Sequence, residues 1–324
     1  MFDKITIRAT VSDEEAAHLS RLHSLYMMVS GGGEIAGYRS NMRISNITGV
    51  VASIQREKCK LQLTLKMSLH KFWNYRTRGV LRNDDDFTVS EAKSAIGMLL
   101  FENGLLSPRT RIIQFEIGLN MEVSFDPLDF IEKAQYISSN EKLMFVDANF
   151  IINRQRTTEK NKNMRKYYKI YDKGFERISK LRGKKREAAK EAEERHILRI
   201  ETVYRRHNES VDTFFSDANI KRLSIQFYKD WSGLFFFRSV DADKGTRKSE
   251  IERATAIINS SGHEYLQRVK NDFERGKITQ KQFRTIREFV RDFELNKGRF
   301  RTVISKQEKQ YAELLNRNYN ICSV

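Results

Sequence analysis

The first half of the chain alternates apolar and polar residues, whereas the second half repeats them at helical spacing. Period-two stretches run over 4–8, 43–54, 59–67 and 112–125. In the third of these Leu61, Leu63, Leu65 and Met67 share one face, and all four stretches are predicted strands. Between them, 12–27 and 90–102 open on Ser-x-x-Glu or Ser-Glu signals and predict helices. A short helix is expected over 126–140, a polar connection over 155–165, and strands over 167–173 and 198–202. The charge run over 174–196 reads as an exposed helical hairpin or one long solvated helix. After Arg206 the pattern is almost wholly helical, over 250–258, 264–275, 280–294 and 299–316, with Gly276 ending one helix and Thr279 capping the next.

The fold class this predicts is α+β: a mainly antiparallel sheet flanked by helices, followed by a C-terminal helical region. The expected division is a first domain over 1–230 and a helical region over 231–324. The latter suits a packing bundle or oligomerisation arm better than a helix-turn-helix, because no single helix stands out as a base reader.

Composition narrows the partners. With 40% hydrophobic and 11% aromatic residues, the 324-residue chain can bury a real core. Its 59 Lys+Arg against 42 Asp+Glu leave a net charge of +17, which favours a polyanion through counterion release. Nucleic acid is expected rather than a membrane, since no 18-residue apolar run occurs. Cys59 and Cys322 are far apart and form no zinc or disulfide framework, and the chain opens on strand-like alternation instead of a leader. A cytoplasmic location is the expectation.

The candidate chemistry lies on the predicted strands. In Tyr168-Lys169-Ile170-Tyr171-Asp172-Lys173, residues 169, 171 and 173 would project together, placing a tyrosine between two lysines. A phenol is a weak nucleophile at its ordinary pKa, so attack on a phosphodiester needs neighbouring positive charge and a polarised phosphate. Glu116 and Glu201 each stand on the polar side of an alternating strand, and with His70 they are the expected ligands of Mg²⁺ or Mn²⁺. Lys169, Lys71, Arg199, Lys184, Lys185 and Arg186 are candidate phosphate contacts, and Trp73 a candidate for base stacking. The loop Asn83-Asp84-Asp85-Asp86 lacks the pattern of a calcium site and is expected to cap the next helix or turn. Gly31-Gly32-Gly33 has no lysine after it, so a P-loop is excluded. These features point to a DNA-strand nickase.

In their order, several of these pieces resemble the replication-initiator family typified by the gene II protein of filamentous phages. They are Met1-Phe2-Asp3-Lys4-Ile5, Ser68-Leu69-His70-Lys71, Phe115-Glu116-Ile117-Gly118-Leu119-Asn120, Tyr171-Asp172-Lys173 and Leu198-Arg199-Ile200-Glu201. The resemblance covers roughly 1–230. It implies that Tyr171 cleaves one strand at an origin and stays joined to the 5′ phosphate, with Lys173 beside it, and that the 3′ hydroxyl primes a polymerase. Glu116 and Glu201 would carry the metal, and a host helicase and polymerase would be partners on single-stranded or origin DNA. The chain lacks the His-hydrophobic-His pair of the wider HUH endonucleases. A relaxase or single-strand transposase would share the tyrosine step, whereas a non-catalytic DNA-binding protein would use only the basic surface.

Overall fold

A computed structural model of the chain describes residues 2–322 apart from 41–48, 58, 138–140, 146–152, 155–165, 180, 182, 185–186 and 188–195. The strands are β1 (Phe2–Val11), β2 (Leu25–Val29), β3 (Ile35–Ser40), β4 (Val50–Glu57), β5 (Lys60–Ser68), β6 (Arg111–Val123), β7 (Ala134–Ile137), β8 (Glu141–Lys142), β9 (Met144–Phe145), β10 (Asn153–Arg154), β11 (Lys166–Asp172), β12 (His196–Ser210), β13 (Phe235–Phe236), β14 (Val240–Ala242) and β15 (Phe300–Thr302). Ten of them form one sheet in the order β2-β3-β4-β5-β1-β6-β12-β11-β10-β9, antiparallel at every pairing. The α+β class is therefore as the hydrophobic pattern predicts.

The helices are α1 (Asp13–Leu22), α2 (Leu69–Arg78), α3 (Val89–Glu102), α4 (Pro127–Lys133), α5 (Lys173–Ser179), α6 (Val211–Phe214), α7 (Asp217–Ser232), α8 (Lys248–Asn259), α9 (Gly262–Glu274), α10 (Gln280–Asn296) and α11 (Lys306–Cys322). Alternation decides which face of the sheet they cover. Ile5, Ile7, Leu63, Leu65, Ile54, Ile117 and Ile200 are buried in one core with Ala92, Ala95, Ile96 and Leu99 of α3 and Phe227 and Trp231 of α7. The Trp231 indole N–H donates to Thr202 Oγ1 at 3.0 Å, which gives its one polar atom a partner inside that core. On the other face Val51, Gln55 and Lys66 are exposed and Arg8 is half-buried, so the sheet presents an open and largely polar surface across β4, β5 and β1.

Residues 240–302 build a separate small core from Ala254, Ile257, Phe293 and Phe300. The final helix α11 returns to the main core through Tyr311 and Leu315, and the Tyr311 hydroxyl donates to the Trp231 carbonyl at 2.9 Å. Within the small unit, Gly276 at φ 69° and the Thr279–Gln282 capping box turn α9 into α10, as the sequence predicts. No described helix is long and apolar enough to cross a membrane.

Several expected boundaries move. The helix expected over 12–27 ends at Leu22, and Ser24, at φ 47°, reverses the chain into β2. Local apolar spacing there is compatible with either state, and pairing with β3 around the Gly33 turn selects the strand. The helix expected over 126–140 stops at Lys133, after which Ala134–Ile137 pairs with β13. The helix expected from 299 begins at Lys306, because Phe300–Thr302 pairs with β14. Of the predicted strand over 43–54, residues 43–48 lie outside the described residues, as does the connection over 155–165.

Candidate active site

Strand alternation and register assemble one polar cluster on the face opposite the core. Lys169 of β11 pairs with Glu201 of β12, and Tyr171 with Arg199. Glu201 in turn faces Gly118 of β6, and Arg199 faces Asn120, so these side chains share one face. Glu116 lies two residues before Gly118 on the same side.

The third carboxylate comes from a bulge. Phe2 pairs with Ile117 and Ile5 with Phe115, so Asp3 and Lys4 together oppose Glu116. Simple alternation would send Asp3 to the core with Ile5 and Ile7. The extra residue brings it to the polar face instead, where Asp3, Glu116 and Glu201 each offer an oxygen within 4.8 Å of the others. All three are buried.

Cations and a roof complete the cluster. Arg199 Nε donates to Glu201 Oε1 at 2.6 Å and Nη1 to Asn120 Oδ1 at 2.7 Å, while Nη2 is bonded to Asp3 Oδ2. Lys169 Nζ bridges Glu201 Oε2 at 2.9 Å and Glu116 Oε1 at 3.1 Å. The Tyr171 hydroxyl donates to Glu201 Oε1 at 2.8 Å. Ser68, which caps α2, hydrogen-bonds Asp3 Oδ1, and Asn83 Nδ2 donates to Asp3 Oδ2 at 3.0 Å. Asn83 also accepts from Asn120 Nδ2 through its carbonyl, at 3.2 Å, and Arg177 of α5 pairs with the neighbouring Asp84 at 3.0 Å. Residues 82–86 thus roof the cluster and do not cap α3, whose N-cap is Thr88.

Electrostatics follow from this crowding. Burial opposes ionisation of Glu201, but Arg199 and Lys169 outweigh it and hold the carboxyl well below the usual range. Burial likewise opposes the Asp3 carboxylate, and Arg199 again pulls it down. Glu116 goes the other way, raised by burial and by the charge of Glu201. Among the described residues its Oε2 has no hydrogen-bond partner, and Lys4 Nζ lies 3.6 Å away. Tyr171 is pushed well up by burial and by Glu201, so the positive charge expected to depress it does not prevail. Burial and the charge of Arg199 lower Lys173 to about 8.

The expected site residues fare differently. Tyr171, Glu116, Glu201, Lys169 and Arg199 come together. Lys169 and Arg199, expected to touch DNA, are instead occupied by carboxylates, since a buried acid needs its cation close. Lys173 opens α5 and pairs with Glu176 at 3.0 Å, and its Nζ lies 6.0 Å from the Tyr171 ring centre. His70 stands outside the carboxylate trio, stacked on Phe87 with ring centres 4.5 Å apart and its Nε2 2.8 Å from Asp85 Oδ1. That close contact lacks hydrogen-bond alignment, and burial lowers His70 to about 4, so it is neutral at pH 7. The acid that takes its expected place is Asp3. Lys71 is half-buried and adds its charge to those acting on Lys173. Trp73 is half-buried against the core, with its indole N–H on Glu91 Oε1 at 3.2 Å. Lys184 is exposed, and Lys185 and Arg186 lie outside the described residues.

Sequence reasoning missed Asp3, Asn83, Asn120 and the role of Gly118. A signal existed for Asp3, a charged residue at core parity beside a strand start. For Gly118 the reason is space: a Cβ there would lie 2.8 Å from Arg199 Nη2 and 3.2 Å from Glu201 Cγ. Gly118→Ala is expected to cost about 1–3 kcal/mol by overpacking a guanidinium that cannot move without breaking its bonds. Thermal unfolding checks this, and an unchanged midpoint would mean that the arginine has room to shift.

A cavity of about 740 Å³ adjoins the cluster and shares Asp3, His70, Gly118, Asn120 and Arg199 with it. Phe227 and Tyr228 of α7 and Leu315 of α11 line its other side. No family model matches the chain, and neither does any curated protein or solved structure.

Proposed function

We propose that the protein nicks and rejoins single-stranded DNA through Tyr171, serving as a rolling-circle replication initiator. The observation that carries the reading is the Tyr171 hydroxyl on Glu201 at 2.8 Å, inside a buried trio of carboxylates on the sheet's polar face. In this reaction the Tyr171 oxygen bonds to phosphorus while the bond from phosphorus to the 3′ oxygen breaks. Glu201 orients the phenol by accepting its hydrogen bond, the phenolic proton passes to solvent as the bond to phosphorus forms, and Lys173, at about 8, can protonate the departing 3′ oxygen at neutral pH. The product is a 5′ phosphotyrosine and a free 3′ hydroxyl, and attack by that hydroxyl reverses the step.

Asp3, Glu116 and Glu201 fit a divalent cation by donor chemistry, and the partnerless Glu116 Oε2 supports the fit. Bound there, Mg²⁺ or Mn²⁺ supplies Lewis-acid polarisation of the scissile phosphate. Arg199 holds Asp3 and Glu201 ionised and in place, and Lys169 bridges Glu201 to Glu116. Tyr171 is only 7% exposed, so the residues that cover it have to move for a DNA backbone to reach it. A relaxase or transposase would run the same step on another target, whereas an initiator implies a host helicase and polymerase as partners.

A second reading, a non-catalytic DNA-binding protein, is favoured by the same burial and by the raised Tyr171 pKa. Incubation with labelled circular single-stranded DNA and Mn²⁺ or Mg²⁺ separates the two. Protein-linked DNA on a denaturing gel, lost on chelation, is the expected result; binding with no adduct in either metal establishes the second reading.

A further inference from the structure

The open sheet face carries a second constructed feature at its far end. Arg8, Arg109, Arg111 and Arg206 line one cleft of about 550 Å³ together with Thr10 and Gln62. Arg8 and Arg111 are direct cross-strand neighbours on β1 and β6. Like charges so placed repel. Arg109 and Arg111 are exposed and have no acidic partner among the described residues. Arg8 has Glu57 at 3.6 Å, yet its Nε is buried with no hydrogen-bond partner.

The backbone is bent to add the fourth arginine. β12 pairs Arg205 with Gln114 and Glu209 with Ile112, so Arg206, His207 and Asn208 bulge out of the ladder. Arg206 sits at φ 55°, a region that costs a non-glycine residue free energy and persists only where its surroundings hold it. His207 anchors the bulge from below, edge-on to Phe115 and Phe214 and 3.1 Å from Glu209. A strained residue thereby joins three other arginines in the lining of one cleft.

We propose that this cleft clamps the phosphodiester backbone of single-stranded DNA at a fixed distance from Tyr171, a role that rests on the nicking reading. Arg8 follows Asp3 by five residues on β1, which at a rise of about 3.3 Å per residue places the clamp about 17 Å from the carboxylate trio. Between them Lys4, Thr6 and Lys66 share the same face. A strand entering the site would therefore cross polar side chains and be gripped by arginines that bind phosphate in bidentate fashion.

Fluorescence anisotropy with labelled oligothymidylate over a salt series tests this on three proteins: wild type, Arg109→Ala/Arg111→Ala, and a charge-matched control, Lys277→Ala/Lys281→Ala, on the helical unit. The arginine pair is expected to weaken binding and to make the salt slope shallower by about 1.4, at about 0.7 per phosphate contact on a single strand. The control is expected to match wild type. Wild-type affinity and slope in the arginine pair, or an equal loss in the control, would overturn the clamp. Covalent adduct formation is scored separately with the same proteins. Loss of binding in the arginine pair without any wild-type adduct sinks the nicking reading and leaves a DNA-binding cleft, whereas an adduct with unchanged binding in the pair sinks only the clamp.

Discussion

Tyr171→Phe is expected to abolish the covalent protein–DNA adduct completely while leaving the affinity for single-stranded DNA within about twofold of wild type. The substitution removes one oxygen. The ring keeps its packing, and Glu201 keeps Arg199 at 2.6 Å and Lys169 at 2.9 Å. A hydrogen bond to a charged acceptor contributes about 1.5–3 kcal/mol, so the fold should survive with a lower unfolding midpoint. An adduct that persists in the variant removes Tyr171 as the nucleophile and moves attention to another tyrosine on the polar face, Tyr167. Adduct formation in neither protein, with binding intact in both, leaves Tyr171 as a packing residue whose hydroxyl serves Glu201 alone.

The second large effect concerns stability. Arg199→Met should destabilise the protein by about 3–5 kcal/mol, because Asp3 and Glu201 would remain buried without their main cation. The guanidinium reaches Asp3, Glu201, Asn120 and the Asn83 carbonyl, so no smaller cation replaces it. The pH dependence has a defined sign. Asp3 and Glu201 are depressed in the folded state from ordinary values of 3.8 and 4.5. Their contribution is full above those values and is lost as pH falls towards the folded ones. Glu116, being raised, has the opposite sign: it favours the folded state when protonated and loses that contribution as pH rises through its folded value. The wild type should therefore lose stability below about pH 4.5, and Arg199→Met should show a shallower acid limb. Urea midpoints across that range measure both, and a loss under about 1 kcal/mol at pH 7 would mean that the carboxylates find other partners.

The expected site failed where its parts depend on neighbours distant in sequence. His70 followed a strand in the right place, but burial against Phe87 made it a stacked, neutral ring, and the trio took Asp3 instead. Lys169 and Arg199 looked like phosphate contacts because a sequence shows charge without showing its partner. The acidic stretch 84–86 looked like a cap because local hydrogen bonding is what turn residues offer, whereas Asn83 and Asp84 bond to residues on β1, β6 and α5.

The hydrophobic pattern alone determined the strands that matter and the face each residue occupies. Period two is a local property of an extended backbone, so Tyr171 with Lys169, Arg199 with Glu201, and Glu116 with Gly118 could be sorted without knowledge of the fold. Tertiary structure decided which strands lie side by side, that Leu25–Val29 is a sheet edge and not a helix end, and that 82–86 covers the cluster. It also decided the two bulges, which place Asp3 among the carboxylates and Arg206 among the arginines. A bulge inverts side-chain parity through one or two extra residues in a ladder, and only the partner strand's register reveals that they are extra.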